Sequence, residues 1–399
     1  MTGGFRMAGA LDGLKILDLS RILAGPTCTQ LLGDLGAEVI KIENPRTGGD
    51  DTRSWGPPFA PGLDGAPTDL STYFMAANRN KLSVAADIST KEGQALILAL
   101  VAEADVVIEN FKPGGLNRYG LDAETLLNRF PQLVYCSISG FGQTGPNASK
   151  PGYDLMAQGF GGIMSLTGEP DGQPMKAGVG IADVMCGMYA CVGILAALRH
   201  RDATGEGQHI DVALVDTQIA WLINEGVNYL ASGKPPVRRG NGHSNIVPYQ
   251  VFASRDGHVI IAVGNDGQFR QFCAFLGADD LPADARFASN PARLANREAL
   301  IALISPILAT RSSAEILTGL EAAGVPVGPV QTLDQVFASD QVAAREMAIA
   351  VPREDVETGE VRLIGNPLKL SRTPVSYRRA PPRFGQDTET VRAQIKPEA

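Results

Sequence analysis

The feature that most constrains this chain is an alternation, through its first half, of short runs rich in Val, Ile and Leu with longer stretches of helical periodicity. Leu14-Lys-Ile-Leu-Asp-Leu reads as a strand, Pro26 to Leu35 as the start of a helix, and Ala37-Glu-Val-Ile-Lys-Ile as the next strand. A helix from about Glu92 to Ala104 leads into Asp105-Val-Val-Ile-Glu, and another near Glu124 to Arg129 leads into Leu133-Val-Tyr-Cys-Ser-Ile. Strands that alternate with helices pair in parallel, and a parallel sheet is covered on both faces. The predicted class is α/β.

From Ile181 to about His200 the pattern is a long, mostly apolar helix, ended by Asp202-Ala-Thr-Gly205-Glu-Gly207. A strand, Gln208-His-Ile-Asp-Val-Ala, and a helical run from about Leu214 to Ala231 follow. The polar stretch Ser232 to Asn245, with Pro235-Pro236, reads as a boundary or mobile loop. Beyond it, Tyr249 to Val263 gives two short strands around Arg255-Asp256-Gly257, and Gln268 to Leu320 is mainly helical, a smaller α+β domain. The expected divisions are 1–215 as the first part of a large α/β domain, 216–245 as linker helix and loop, 246–328 as the small domain, and 329–399 as the remainder.

A net charge of −8 argues against nucleic acid as a partner, since duplex binding needs a cationic face. A small anionic substrate remains open to it, because a few local Arg and Lys outweigh a mildly acidic whole. The five cysteines contain no CxxC and the four histidines no HxxH, so no disulfide framework and no metal are expected. MTGGFRMAGA lacks the apolar core of a signal peptide, and no uninterrupted apolar run is membrane-length, so the expected setting is cytoplasmic, without membrane contact.

Gly140-Phe-Gly142-Gln-Thr-Gly145 follows a good strand and matches a dinucleotide fingerprint. That fingerprint needs a helix opening directly after the glycines. Pro146-Asn147 and Pro151-Gly152 would cut such a helix short, which counts against a nicotinamide or flavin enzyme.

Asp183 is the stronger candidate for chemistry. In Gly178-Val-Gly-Ile-Ala-Asp183-Val-Met-Cys-Gly187 it stands where a glycine-bearing loop becomes an apolar helix. An N-cap is the plain reading. The following helix is nearly devoid of charge, which predicts burial, and the flanking glycines leave room for a ligand or another backbone. A carboxylate so placed is expected to stay ionised through the helix dipole and N–H donors, as suits a nucleophile.

Taken together, the motifs resemble the class III CoA-transferase family, which includes formyl-CoA transferase, the carnitine-CoA transferases and the α-methylacyl-CoA racemases. The resemblance rests on Leu11-Asp-Gly-Leu-Lys-Ile-Leu-Asp-Leu-Ser, Ala24-Gly-Pro, Leu35-Gly-Ala-Glu-Val-Ile-Lys-Ile-Glu43, Glu109-Asn-Phe-Lys-Pro-Gly114, Arg118-Tyr-Gly-Leu, Pro151-Gly-Tyr-Asp154, Thr204-Gly-Glu-Gly-Gln208 and Val325-Pro-Val-Gly-Pro329, in that order. It implies a doubly wound, Rossmann-like large domain built from both chain ends, with the smaller domain inserted and the subunits threaded as an interlocked homodimer. It also implies Asp183 as a nucleophile passing through an aspartyl anhydride and an aspartyl-CoA thioester. Acyl-CoA and a carboxylic acid would be the small-molecule partners, with no tightly bound cofactor.

For coenzyme A the resemblance points to Arg21, Ile22, Leu23, Ala86, Asn110, Phe111 and Arg118. Arg118 offers a fork of donors for phosphate and Phe111 a face for adenine or the pantetheine arm. Alternatively, Asn110 and Phe111 only close a strand end and Arg118 is a surface charge. A glycine-rich loop that covers the nucleophile in the family corresponds to Gly240-Asn241-Gly242-His243, which otherwise reads as an interdomain loop. Asn241 to Gln250 looks most like the succinyl-CoA:glutarate branch and suggests dicarboxylates, with Arg238 and Arg239 as candidates for the distal carboxylate or as solvated loop charges. Two rivals stand beside transfer: α-methylacyl-CoA racemase and a non-catalytic acyl-CoA-binding protein. The racemases carry His where Tyr153 stands, and a phenol of pKa about 10 is a poor proton shuttle at neutral pH. Tyr153 is then a packing residue or a donor at the acyl pocket.

Overall fold

The computed structural model describes residues 9–395. They form two compact units: one runs to Ile163, resumes over Lys176–Ala231 and again from Asp340, and the other comprises Met164–Met175 and Ser232–Ser339.

The first unit is organised by six parallel strands: β1 Lys15–Asp18, β2 Glu38–Glu43, β3 Lys81–Ala85, β4 Val106–Glu109, β5 Val134–Ser139 and β6 His209–Ala213. Their order across the sheet is 3-2-1-4-5-6, the order of dinucleotide-binding doubly wound folds. Ile16 of β1 aligns with Val39 of β2 and Val106 of β4. Successive side chains of a strand face opposite ways. Thus Ile16, Val106 and Ile108 enter one core, while Leu17 and Val107 enter another.

The first core lies under helices α1 (Ala24–Asp34) and α5 (Ile181–Thr204); the second lies under α2 (Lys91–Val101), α3 (Ala123–Arg129) and the C-terminal helix Thr388–Gln394. Between them in sequence comes the short helix α4 (Asp154–Phe160). After β6 the expected single helical run is two helices, α6 (Leu214–Ala220) and α7 (Ile223–Ser232), with Ile223 at φ 37° in the break. A β-branched residue is rarely held at positive φ, so the chain bends there instead of continuing.

The edge strand β3 carries no apolar run. Lys81 and Ser83 face charged neighbours instead: Lys81 Nζ lies 3.1 Å from Asp18, and Ser83 Oγ donates to Glu43 at 2.6 Å. Its open edge is covered by the chain's end. Ser83 N–H donates to Asp387 Oδ2, Ala85 N–H to Thr388 Oγ1, and Asp387 N–H returns to the Ser83 carbonyl. Pairing an edge with a terminal segment removes a template for aggregation.

In the second unit, β7 (Tyr249–Ala253), β8 (His258–Ala262) and β9 (Val327–Pro329) form an antiparallel sheet in the order 9-8-7. Helices α8 (Asp266–Leu276), α9 (Arg297–Ala309) and α10 (Ser313–Ala322) bury Phe269, Phe272, Leu300, Ile304, Ile316 and Leu320 with Phe252, Val259 and Ile261 of the sheet. Ser312 and Glu315 form a reciprocal capping box at the start of α10.

Candidate active site

The strand order fixes where a ligand can enter. α1, which follows β1, covers one face of the sheet; α3, which follows β4, covers the other. The loops leaving these adjacent strands part in opposite directions, and such switch points form ligand crevices at the carboxyl ends of strands. A cavity of about 600 Å³ opens there, lined by Arg21, Ile22, Leu23, Asn110, Phe111, Arg118, Tyr153 and Asp183. A volume of that size accommodates a bulky small molecule. Ala86 lines a smaller cavity of about 130 Å³ that shares Arg21, Asn44, Ile88 and Phe111 with the larger one.

The segment Arg21–Leu23 is held from several sides. Ile22 has φ 72°, a conformation costly for a branched residue. Its N–H donates to both carboxylate oxygens of Asp50 at 3.2 Å, and Asp50 is ion-paired at 2.9 Å with the buried Lys41. Asn110 binds the Arg21 backbone, and the Glu109 carboxylate accepts the Phe111 N–H at 2.7 Å. Burial pushes the Glu109 carboxyl up to about 7.

The cavity is cationic although the chain is acidic. Arg21 is paired with Asp51 and Arg46 with Asp87, whereas Lys112, Arg118 and Lys150, also in the lining, carry no ion pair among the described residues. Arg118 stacks over Tyr119, its carbon 4.6 Å from the ring centre. Arg46, Lys112 and Lys150 escaped the sequence reading because nothing in their local pattern separates them from ordinary surface charge.

Asp183 is not the N-cap. Gly180 occupies that position without a side-chain bond, and Asp183 sits in the first turn of α5. The helix start is satisfied by Asp154, whose Oδ1 accepts the Ala182 N–H at 2.8 Å. The expected easily ionised carboxylate is also corrected: burial, and then the charge of Asp154, push the Asp183 carboxyl up to about 7. Desolvation of a carboxylate outweighs the helix dipole here. Of the flanking glycines, Gly187 makes room for backbone, since a Cβ there would lie 2.5 Å from the Ala24 carbonyl oxygen of α1. The expectation that α5 is buried holds for one face only; Met188, Tyr189, Val192 and Leu195 are exposed.

Tyr153 is 59% exposed at the cavity. Trp55, also in the lining, packs edge-on against Tyr73, whose hydroxyl is held above its usual range by burial and then by the charge of Asp183. No helix separates Gly140–Gly145 from α4, which removes the dinucleotide reading.

In the second unit Gly240, at φ 57°, donates its N–H to the Gly168 carbonyl at 3.1 Å. Gly242 N–H closes a turn onto the Arg239 carbonyl, with the exposed Asn241 between. His243 stacks on Tyr249 at 5.0 Å. The Arg238 guanidinium donates to the carbonyls of Glu169, Pro170 and Gly172, so its donors hold a neighbouring loop in place.

Comparison with known proteins assigns the chain to a family. The model of CoA-transferase family III matches residues 11–388. The chain is 48% identical over 386 residues to a succinate–glutarate CoA-transferase of Agrobacterium fabrum, covering 97% of this chain and 96% of that one. It is 40% identical over 385 residues to a succinyl-CoA:glutarate CoA-transferase of Mus musculus, covering 96% and 86%. A crystal structure of a CAIB/BAIF family protein from Brucella suis, 49% identical, superposes with a TM-score of 0.87 over 98% of this chain and 100% of the other. With its sheet, its crevice and its motifs in agreement, the chain belongs to CoA-transferase family III and is an enzyme of that class.

Proposed function

We propose that this enzyme moves coenzyme A from succinyl-CoA, or a donor like it, to a dicarboxylic acid, with Asp183 as the covalent nucleophile. The observation that carries the reading is the carboxylate of Asp183 in the lining of the cationic 600 Å³ cavity. The glutarate specificity named for the relatives in Agrobacterium and mouse supports the choice of dicarboxylates.

In the proposed sequence a carboxylate oxygen of Asp183 attacks the donor thioester carbon, the C–S bond breaks and the thiolate of coenzyme A leaves, giving an aspartyl anhydride. The thiolate then attacks the aspartyl carbonyl and expels the donor's carboxylate, leaving an aspartyl-CoA thioester. The acceptor carboxylate attacks that thioester and expels the thiolate, which finally takes the new acyl group and returns Asp183 to its free form. Thioester energy is conserved, so the cycle needs no nucleotide. Each step develops an oxyanion that preorganised N–H donors stabilise. Arg118, Lys112 and Lys150 supply positive charge for the phosphates; Phe111 supplies an apolar face.

An interlocked homodimer belongs to the same reading. Its support is the exposed apolar side chains of α5, Met188 and Val192, and of α7, Val227 and Leu230, since exposed apolar faces on helices are covered in an assembly.

The test is Asp183→Ala with succinyl-CoA and a panel of dicarboxylates. Retained acyl-CoA binding with transfer abolished, and a hydroxylamine-trapped aspartyl derivative in wild type alone, is the expected result. Transfer by the variant would refute the nucleophile.

A further inference from the structure

Asp154 lies in no reading of the site as a reacting group, yet it is bound to the nucleophile's helix by a chain of specific bonds. Its Oδ1 accepts the Ala182 N–H at 2.8 Å, and its Oδ2 accepts from Gln158 Nε2 at 2.8 Å. Gln158 is fully buried, and its Oε1 accepts the Ala177 N–H at 2.9 Å. The pair thus ties both the segment before α5 and its first turn to α4. Gly180 packs close by: a Cβ there would lie 3.0 Å from Leu23 Cδ2 and 3.8 Å from the Asp154 carboxyl carbon.

The N–H donors at its two oxygens hold the Asp154 carboxylate in one orientation. We propose that Asp154 is a positioning residue for transfer, orienting the first turn of α5 and keeping a fixed negative charge beside Asp183 so that the covalently bonded, uncharged forms of Asp183 are favoured over the free carboxylate. This rests on the reading of Asp183 as nucleophile. When Asp183 bonds to the thioester carbon its charge leaves with the thiolate, and the repulsion between the two carboxylates is relieved. The remaining charge is held in place by Gln158 and Ala182. The raised proton affinity of Asp183 agrees with this arrangement, burial being its first cause and Asp154 its second.

Other titratable groups surround the pair. Tyr73, from the helix Thr72–Ala76, and Cys186 of α5 both hold their protons more tightly, first through burial and then through the charge of Asp183. They are neutral at working pH. Asp216 of α6 acts on Cys186, and Arg21, Arg118 and Lys150 line the same cavity.

The test compares Asp154→Asn, which keeps an oxygen to cap Ala182 but removes the charge, with Asp154→Ala, which removes both. After mixing with succinyl-CoA and quenching, protein-bound adduct is measured by intact mass alongside the pH profile of kcat/KM. Asp154→Asn is expected to lower the trapped adduct on the order of tenfold and to move the acidic limb to lower pH. Asp154→Ala is expected to lose transfer further. If Asp154→Asn does not fold, Asp154→Ser serves, because it likewise removes the charge and keeps an oxygen on that side chain. That variant moves the limb the same way. Adduct in wild type that Asp154→Asn leaves unchanged, or a limb that stays in place while activity falls, overturns the inference and leaves the nucleophile standing. No adduct in wild type, with transfer intact in Asp183→Ala, sinks the nucleophile and this inference together.

Discussion

Asn110 clasps the backbone of Arg21 from both sides: its Oδ1 accepts the Arg21 N–H at 3.0 Å, and its Nδ2 donates to the Arg21 carbonyl at 2.7 Å. The two residues follow adjacent strands whose helices diverge, so this pair spans the crevice at its base. Asn110 therefore acts through Arg21–Leu23 as well as lining the cavity.

Asn110→Ala is expected to raise KM for acyl-CoA about tenfold, because the two lost hydrogen bonds are worth on the order of 1–2 kcal/mol. Asn110→Asp keeps the acceptor and loses the donor, and should fall between. Steady-state kinetics with a fixed acceptor, checked by calorimetric titration of coenzyme A, separates the three enzymes.

The rate should climb with pH through neutrality. In the proposed mechanism the reacting form of Asp183 is the carboxylate, and burial together with Asp154 pushes its pKa up to about 7. A profile of kcat/KM reports the free enzyme and is expected to rise from pH 5.5 to 8 with a midpoint of about 7. A plateau extending unchanged below pH 5 would contradict the environment described for this side chain.

Much of the fold was legible because the strands β1, β2, β4 and β5 are apolar runs separated by helical periodicity, and burial on both faces leaves no other pattern possible. β3 was not. Lys81 and Ser83 look like surface residues, and only the register against β2 puts them next to Asp18 and Glu43. The place of Asp183 at the start of α5 was readable from Gly180 and the apolar run after it. Its protonation was misjudged, since helix dipoles are visible in a sequence while desolvation is not. Asp154 escaped for another reason: it caps a helix 28 residues downstream, a distance at which no capping signal is readable.

Asp183 should also cost the fold stability, with a sign that can be checked. A carboxyl whose folded pKa is about 7, against the ordinary unfolded value, releases its proton more readily when unfolded. Stability is unaffected below about pH 4 and falls as pH rises through about 7. Asp183→Asn is therefore expected to be more stable than wild type at pH 8, by about 2 kcal/mol once the water-facing side of the cavity is discounted. Below about pH 4 the two should match. Urea denaturation at both pH values measures it.

Lys81 offers a harder test of the buried charges behind the site. Its ammonium is fully buried against Asp18 Oδ2, Asn78 Oδ1 and the Pro26 carbonyl, and desolvation brings its pKa down to about 8. Lys81→Met takes from Asp18 its ion-pair partner, leaving only the field of Lys41, and is expected to cost about 3–5 kcal/mol in urea denaturation. Adding Asp18→Asn should recover part of that loss, since it is the stranded charge that destabilises.

Gly152 and Gly140 meet backbone to backbone. A Cβ on Gly152 would lie 2.1 Å from the Gly140 Cα, and one on Gly140 would lie 2.4 Å from the Gly152 Cα. Neither neighbour is a flexible side chain that could swing away, so Gly152→Ala must move the main chain, and the residues it moves first are Tyr153 and Asp154. Misplacement by about 1 Å near a reacting group can lower a rate on the order of a hundredfold. Gly152→Ala is expected to show that loss in kcat. Coenzyme A affinity should change far less, because Asn110, Phe111 and Arg118 follow a different strand. A variant with normal kcat would mean that the Tyr153–Asp154 corner does not set the geometry at Asp183.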